Sequence, residues 1–193
     1  MNQKFVVAFS LLCLSVPAQQ TSPDVPRFTK DGELMRPENY REWIFLSSGL
    51  GMTYGFVERA ANAAPRFDNV FVTPQAYKAF LETGTWPDKA MFALEIRSSA
   101  SKGSINKEGH YQEDTVGLEI EVKDESRFPG KWAFFDFRGS GTSAKPIPKS
   151  ASCYACHSTN GAVDNTFVQF YPTLLPIAKA KGTLKSRTGK DGE

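Results

Sequence analysis

Apolar and polar positions alternate with period two through the middle of the chain, and the spacing widens to three or four near both ends. Gly117-Leu118-Glu119-Ile120-Glu121-Val122 alternates without a break. It predicts a strand with Leu118, Ile120 and Val122 on one face and both glutamates on the other. Lys89 to Arg97 predicts a second strand, whose apolar run is long enough to be covered on both faces. Lys131 to Phe137 predicts a third, rich in aromatics. Val70-Phe71-Val72 reads as a short strand, and residues 103–112 as a strand or hairpin arm. Connections this short predict an antiparallel meander.

Helical spacing surrounds that sheet. Pro37 opens a helix-like stretch with Tyr40, Trp43, Ile44 and Phe45 on its apolar face, closed by Gly49, Gly51 and Gly55. Thr73-Pro74 supplies an N-cap and N1 pair for a second helix, with Tyr77, Phe80 and Leu81 as its buried stripe and Gly84 as its stop. Residues 139–150, rich in Gly, Ser, Lys and Pro, read as a loop. Helical character returns after it until Pro172 and Pro176. The expected class is α+β: mainly antiparallel sheet in a meander, with flanking helices and a C-terminal helix.

The first 18 residues carry a different pattern. Lys4 precedes the apolar run from Phe5 to Leu14, and Val16-Pro17-Ala18 offers small residues for cleavage. This is the layout of a secretory signal, too short for a membrane span. It predicts a periplasmic or secreted protein with no spanning segment. Residues 19–36, with Pro23 and Pro26, then form an extended leader, and the basic stretch 179–193 a solvated, partly disordered tail.

Composition narrows the class. At 193 residues and 40% hydrophobic content the chain suits one domain, and 23 basic against 21 acidic residues leave no field to attract nucleic acid. Three cysteines and two histidines exclude a disulfide-dense scaffold and any three-histidine site. Cleavage after Ala18 removes Cys13, so the mature chain keeps Cys153 and Cys156 alone.

Those two cysteines stand in Cys153-Tyr154-Ala155-Cys156-His157, the C-x-x-C-H signature of c-type haem attachment. Thiols three positions apart share one side of a helical turn, where each can add to one vinyl group, and the adjacent histidine can reach the iron. A disulfide across so small a loop would stabilise little. A thioredoxin-type pair would follow a strand in a βαβ unit, and none precedes it. Zinc would need two more ligands, with His110 the sole remaining histidine. The site therefore calls for one covalent haem c, with iron on His157. Met1, Met35, Met52 and Met91 all precede the motif, the reverse of the order in common small electron carriers. His110, between Gly109 and Tyr111, reads as a surface residue rather than a sixth ligand. The expected iron is open or water-bound on its far side.

The chain resembles the cytochrome P-460 family, which includes the cytochromes c′-beta. The matching residues are Glu33-Leu34, Pro37 to Trp43, Val70-Phe71-Val72 with Pro74 and Tyr77, Gly117-Leu118-Glu119, Val122-Lys123-Asp124, Arg127-Phe128, Trp132-Ala133-Phe134-Phe135, Cys153 to His157 and Phe170-Tyr171-Pro172. The resemblance implies a haem domain over 37–178, a homodimer, and a five-coordinate haem. It sets the chain apart from the four-helix-bundle cytochromes. It further implies binding of nitric oxide, hydroxylamine or related small ligands, with oxidation of hydroxylamine or nitric oxide and an electron-acceptor cytochrome as the enzyme's version. The lysine that family enzymes join to the haem falls at Leu94, which cannot make that link; Lys89 is a poor substitute on the opposite strand face. The distal arginine falls near Asp68, with Arg66 two residues away. The distal glutamate falls at Glu119, otherwise a solvent-facing partner of Glu121, as a proton relay. Phe67, Phe71 and Phe92, otherwise ordinary core, are candidates for an aromatic cap over the iron. A plain electron-transfer cytochrome is the reading from a different class.

Overall fold

The computed structural model describes residues 24–53, 63–137 and 141–186. The signal segment 1–18 and Gly55 lie outside the described residues. Five strands make one antiparallel meander in the order β2 (Ile44–Leu50), β3 (Phe67–Val72), β4 (Met91–Ala100), β5 (Tyr111–Lys123) and β6 (Trp132–Asp136). A two-stranded ribbon joins β1 (Leu34–Met35) to β7 (Ser143–Ala144). The helices are α1 (Pro74–Thr83), α2 (Ser152–Asn160) and α3 (Leu175–Lys181). The expected meander, with helices beside it, is what the chain forms. No helix among the described residues is long and apolar enough to cross a membrane.

Each sheet face has its own core. Leu118, Ile120 and Val122 are buried as the alternation requires, and they pack with Tyr40, Trp43, Met91, Ala93, Ala133 and Phe135 beneath the N-terminal segment. The reverse face gathers Leu46, Val72, Phe92 and Trp132 with Phe80 of α1, Ala178 of α3, and Val163 and Val168. Phe80 and Trp86 have their ring centroids 4.1 Å apart at the centre of this second core. Complete burial of a phenylalanine such as Phe80 contributes about 1.5–3 kcal/mol.

α1 starts at Pro74 after Thr73 and stops at Gly84, whose φ of 74° lets its N–H reach Phe80 O. A side chain at Gly84 would collide with Lys181 and Thr183, so this cap also seats the end of α3. The buried stripe differs from the expectation: Ala76 and Phe80 are buried, Tyr77 is half-buried and Leu81 is 40% exposed.

Several element assignments change. The stretch after Pro37 makes only a single 3-10 turn, Tyr40–Glu42, before extending into β2. Ile44, Phe45 and Leu46 satisfy a two-residue period as readily as a helical one, and pairing with β3 decides for the strand. Pro176 lies in the first turn of α3 instead of ending helical structure, because proline suits a first helical turn. Residues 179–186 belong to the fold up to Lys185, whose N–H donates to Ala162 O. The leader is also packed: the Phe28 ring lies 6.1 Å from Phe128 and 6.3 Å from Phe135.

Candidate functional site: a haem-attachment centre

Strand register aligns the candidate residues in rows. Val70, Leu94, Glu119 and Asp136 stand side by side on the face that carries the helices. The next row towards α2 holds Val72, Phe92, Glu121 and Phe134. The row on the other side holds Gly49, Asp68, Ile96 and Gly117. Strand alternation sends Phe67 and Phe71 to the opposite face. There the Phe71 ring lies 6.0 Å from Tyr40 and 5.6 Å from Phe45. Of the three candidate cap residues only Phe92 shares the face of Leu94 and Glu119, and it is wedged in the core 4.6 Å from Trp86.

α2 brings the motif to this face. Phe134 anchors it, with ring centroids 4.8 Å from Tyr154 and 4.4 Å from His157. Phe167 closes the other side of His157 at 4.6 Å. The imidazole Nδ1 lies 2.8 Å from Asn165 O. A carbonyl only accepts, so Nδ1 carries the proton and, in the neutral ring, Nε2 presents its lone pair. Cys153 and Cys156 are free thiols, each half-buried one turn apart.

These residues fit a covalently held haem. No residue of α2 is buried, so the side bearing both thiols and the imidazole keeps surface that the chain itself does not cover. The donor set is two unpaired thiols and one oriented imidazole nitrogen, with an apolar leucine and valine on the facing row. Among the described residues no group of three His, Cys, Asp or Glu is placed to hold a bare metal ion.

The glutamates form the polar part. Glu119 keeps an open solvent side, so its surroundings crowd more than enclose it. That crowding, with Asp136 adding negative charge, raises its carboxyl above the ordinary range, against the pull of His157. Cys153 is raised by burial, with Glu119 close enough to contribute. Glu121 was not singled out from sequence, yet its Oε1 lies 3.4 Å from His157 Nδ1 and has no hydrogen-bond partner. Burial pushes Glu121 upward more than the histidine pulls it down. Burial alone would lower His157, but the adjacent Glu121 carboxylate and the Asn165 carbonyl overcome it and hold the histidine above its usual value. The available signal was the two-residue spacing from Glu119, which places both glutamates on one face.

The remaining candidates lie apart. His110 is exposed in the β4–β5 hairpin, its Nδ1 3.3 Å from Ser99 Oγ. Lys89 adopts φ 65° in the turn before β4 and pairs with Asp124, away from the Leu94 row. Arg66 is exposed just before β3, while Asp68 is buried on the sheet face that carries Leu94 and Glu119.

No curated protein matches the chain. A family model does: that of cytochrome P460, over residues 37–168. The span runs from the proline before the 3-10 turn to the segment just beyond His157 and Asn165, and so contains the meander, the glutamate rows and the attachment motif. The chain belongs to the cytochrome P460 family and is a c-type haem protein of the P460 kind, with iron in its cofactor.

Proposed function

We propose that this is an exported monohaem c-type cytochrome that binds nitric oxide or a related small nitrogen-oxide ligand on a five-coordinate haem. Cys153 and Cys156 are the thioether anchors and His157 the axial ligand. The observation that carries this reading is the His157 ring, whose Nδ1 is already committed to Asn165 O at 2.8 Å while Nε2 is free to ligate. The haem supplies an iron centre able to bind such ligands and exchange electrons. The protein's part is to fix the imidazole, to offer an apolar row at Val70 and Leu94, and to keep one carboxyl, Glu119, beside it. Export rests on the N-terminal pattern, and the homodimer on the family resemblance.

Two other readings each have an observation behind them. Glu119 on the row of Leu94 supports a hydroxylamine- or nitric-oxide-oxidising enzyme that passes electrons to a partner cytochrome; its crowded carboxyl could exchange protons with a bound substrate. The plain electron carrier has one concrete candidate ligand, Met52. Its thioether packs against Gly49 on the haem-facing side, whereas Met91 is buried on the other face.

Anaerobic absorption spectra of the haem-loaded protein, with and without nitric oxide and hydroxylamine, test all three. A high-spin ferrous form that binds nitric oxide supports the proposal, and a low-spin form unresponsive to it supports ligation by Met52. Reduction by hydroxylamine supports the enzyme. An unchanged ferrous spectrum in His157→Ala would overturn the ligand assignment.

A further inference from the structure

We infer that Lys123 and Trp86 are positioning residues for the axial histidine, acting through the turn that carries Asn165. This rests on the reading of His157 as the iron ligand. The turn spans residues 161–166 and closes on itself: Ala162 N–H donates to Thr166 O at 2.8 Å, and Thr166 N–H to Val163 O at 2.9 Å. Asp164 sits inside it at φ 51°, in the left-handed region that aspartate enters more readily than most non-glycine residues.

Both neighbours of Asn165 are pinned to the sheet. On one side, the Lys123 ammonium at the end of β5 donates to Asp164 Oδ2 at 3.1 Å and to Trp86 O at 2.7 Å. On the other, the Trp86 indole N–H donates to Thr166 Oγ1 at 2.7 Å, and that hydroxyl donates onward to Val163 O at 2.8 Å. Trp86 and Thr166 are buried, and Lys123 is 7% exposed. The Asn165 carbonyl thus hangs between two fixed points, and the imidazole takes its orientation from that carbonyl.

A buried ammonium is costly, and replacing a buried ion pair by apolar residues is often neutral or stabilising. What the lysine adds is direction. Its two acceptors come from the loop before β4 and from the turn after α2, so one side chain ties the proximal turn to the sheet. Groups behind a metal-binding histidine fix its tautomer, its ring angle and the basicity of the ligating nitrogen.

The test uses haem-loaded protein and the iron–histidine stretching band of the ferrous form, with the reduction potential as second readout. Lys123→Met keeps length and apolar bulk but removes the donor, and Trp86→Phe keeps the ring and removes the N–H. Asp164→Asn, on the more exposed side of the ion pair, is the milder variant should the buried ones fail to fold. Each folded variant is expected to retain covalent haem, to shift and broaden the band, and to move the potential. Folded variants with wild-type band and potential would overturn the clamp alone. Absence of an iron–histidine band in the wild type would instead overturn the five-coordinate reading beneath it, leaving the potential as the readout that tests the clamp.

Discussion

Leu94 of β4 and Glu119 of β5 are directly opposed cross-strand partners, with Asp136 of β6 next in line. Opposed side chains on one face lie within about 5.5 Å at Cβ, so whatever stands at 94 meets the Glu119 carboxyl. The family resemblance puts the cross-linking lysine at this position. Leu94→Lys is therefore expected to place an amine beside the Glu119 carboxylate and to form the cross-link, seen as a strong red shift of the ferrous Soret band. A wild-type band in this variant would move the cross-linking position elsewhere on the face.

On the enzyme reading, Glu119 is the acid that would exchange protons with a ligand on that row. Its carboxyl is held above the ordinary range by crowding and by Asp136, so proton exchange becomes easier nearer neutral pH. Glu119→Gln keeps shape and removes the exchangeable proton. Any hydroxylamine oxidation should slow by about a hundredfold, within the usual reach of a general acid or base, while nitric oxide affinity stays as it was. Equal turnover in both proteins would take Glu119 out of the chemistry.

The attachment motif and the alternation of β5 were legible because each depends on local spacing alone. Cys153, Cys156 and His157 lie within one helical turn, and Leu118, Ile120 and Val122 needed only the two-residue period. What was hidden depends on tertiary contact. Phe71 differs from Phe92 in nothing that composition can express; register alone sends one to Tyr40 and the other to Trp86. Glu121 looked like solvent-facing polarity until α2 folded over it. Ile44 to Leu50 carried a helical spacing that pairing with β3 overrode.

Gly161 is required for closeness and not for an unusual backbone angle, since its φ is −64°. A Cβ there would lie 2.7 Å from His157 O, 2.8 Å from Asn165 C and 2.9 Å from Thr166 N, all backbone atoms. Gly161→Ala must therefore push α2 away from the turn that orients the histidine. A loss of about 1–3 kcal/mol is expected, the usual range for overpacking. Urea unfolding of the haem-loaded protein reads it as a lower midpoint at constant slope. A midpoint equal to wild type would show that the turn has slack.

The opposite face holds a buried charge network whose pH behaviour can be stated in sign. Glu95 is 3% exposed and accepts from Tyr40 Oη at 2.8 Å, Arg41 Nε at 2.9 Å, Asn69 Nδ2 at 3.2 Å and Arg97 Nη1 at 3.3 Å. Burial pushes Glu95 upward, but the donors from Tyr40, Arg41 and Asn69 together outweigh it and hold the carboxyl below its ordinary range. Burial first, then the bond to Glu95, pushes the Tyr40 phenol up to about 12. A depressed carboxyl stabilises the fold above its unfolded pKa and loses that contribution as pH falls through the folded one. A raised phenol stabilises below its unfolded value of 10.0 and loses the contribution as pH climbs towards about 12. Tyr40→Phe should cost about 1.5–3 kcal/mol near neutral pH, the range for a hydrogen bond to a charged group. It should also remove the alkaline decline that the phenol causes, and shift the acid decline upward because Glu95 has lost a donor. Urea midpoints of both proteins across the pH range measure this, and an alkaline decline of equal steepness in the two would show that Tyr40 does not set it.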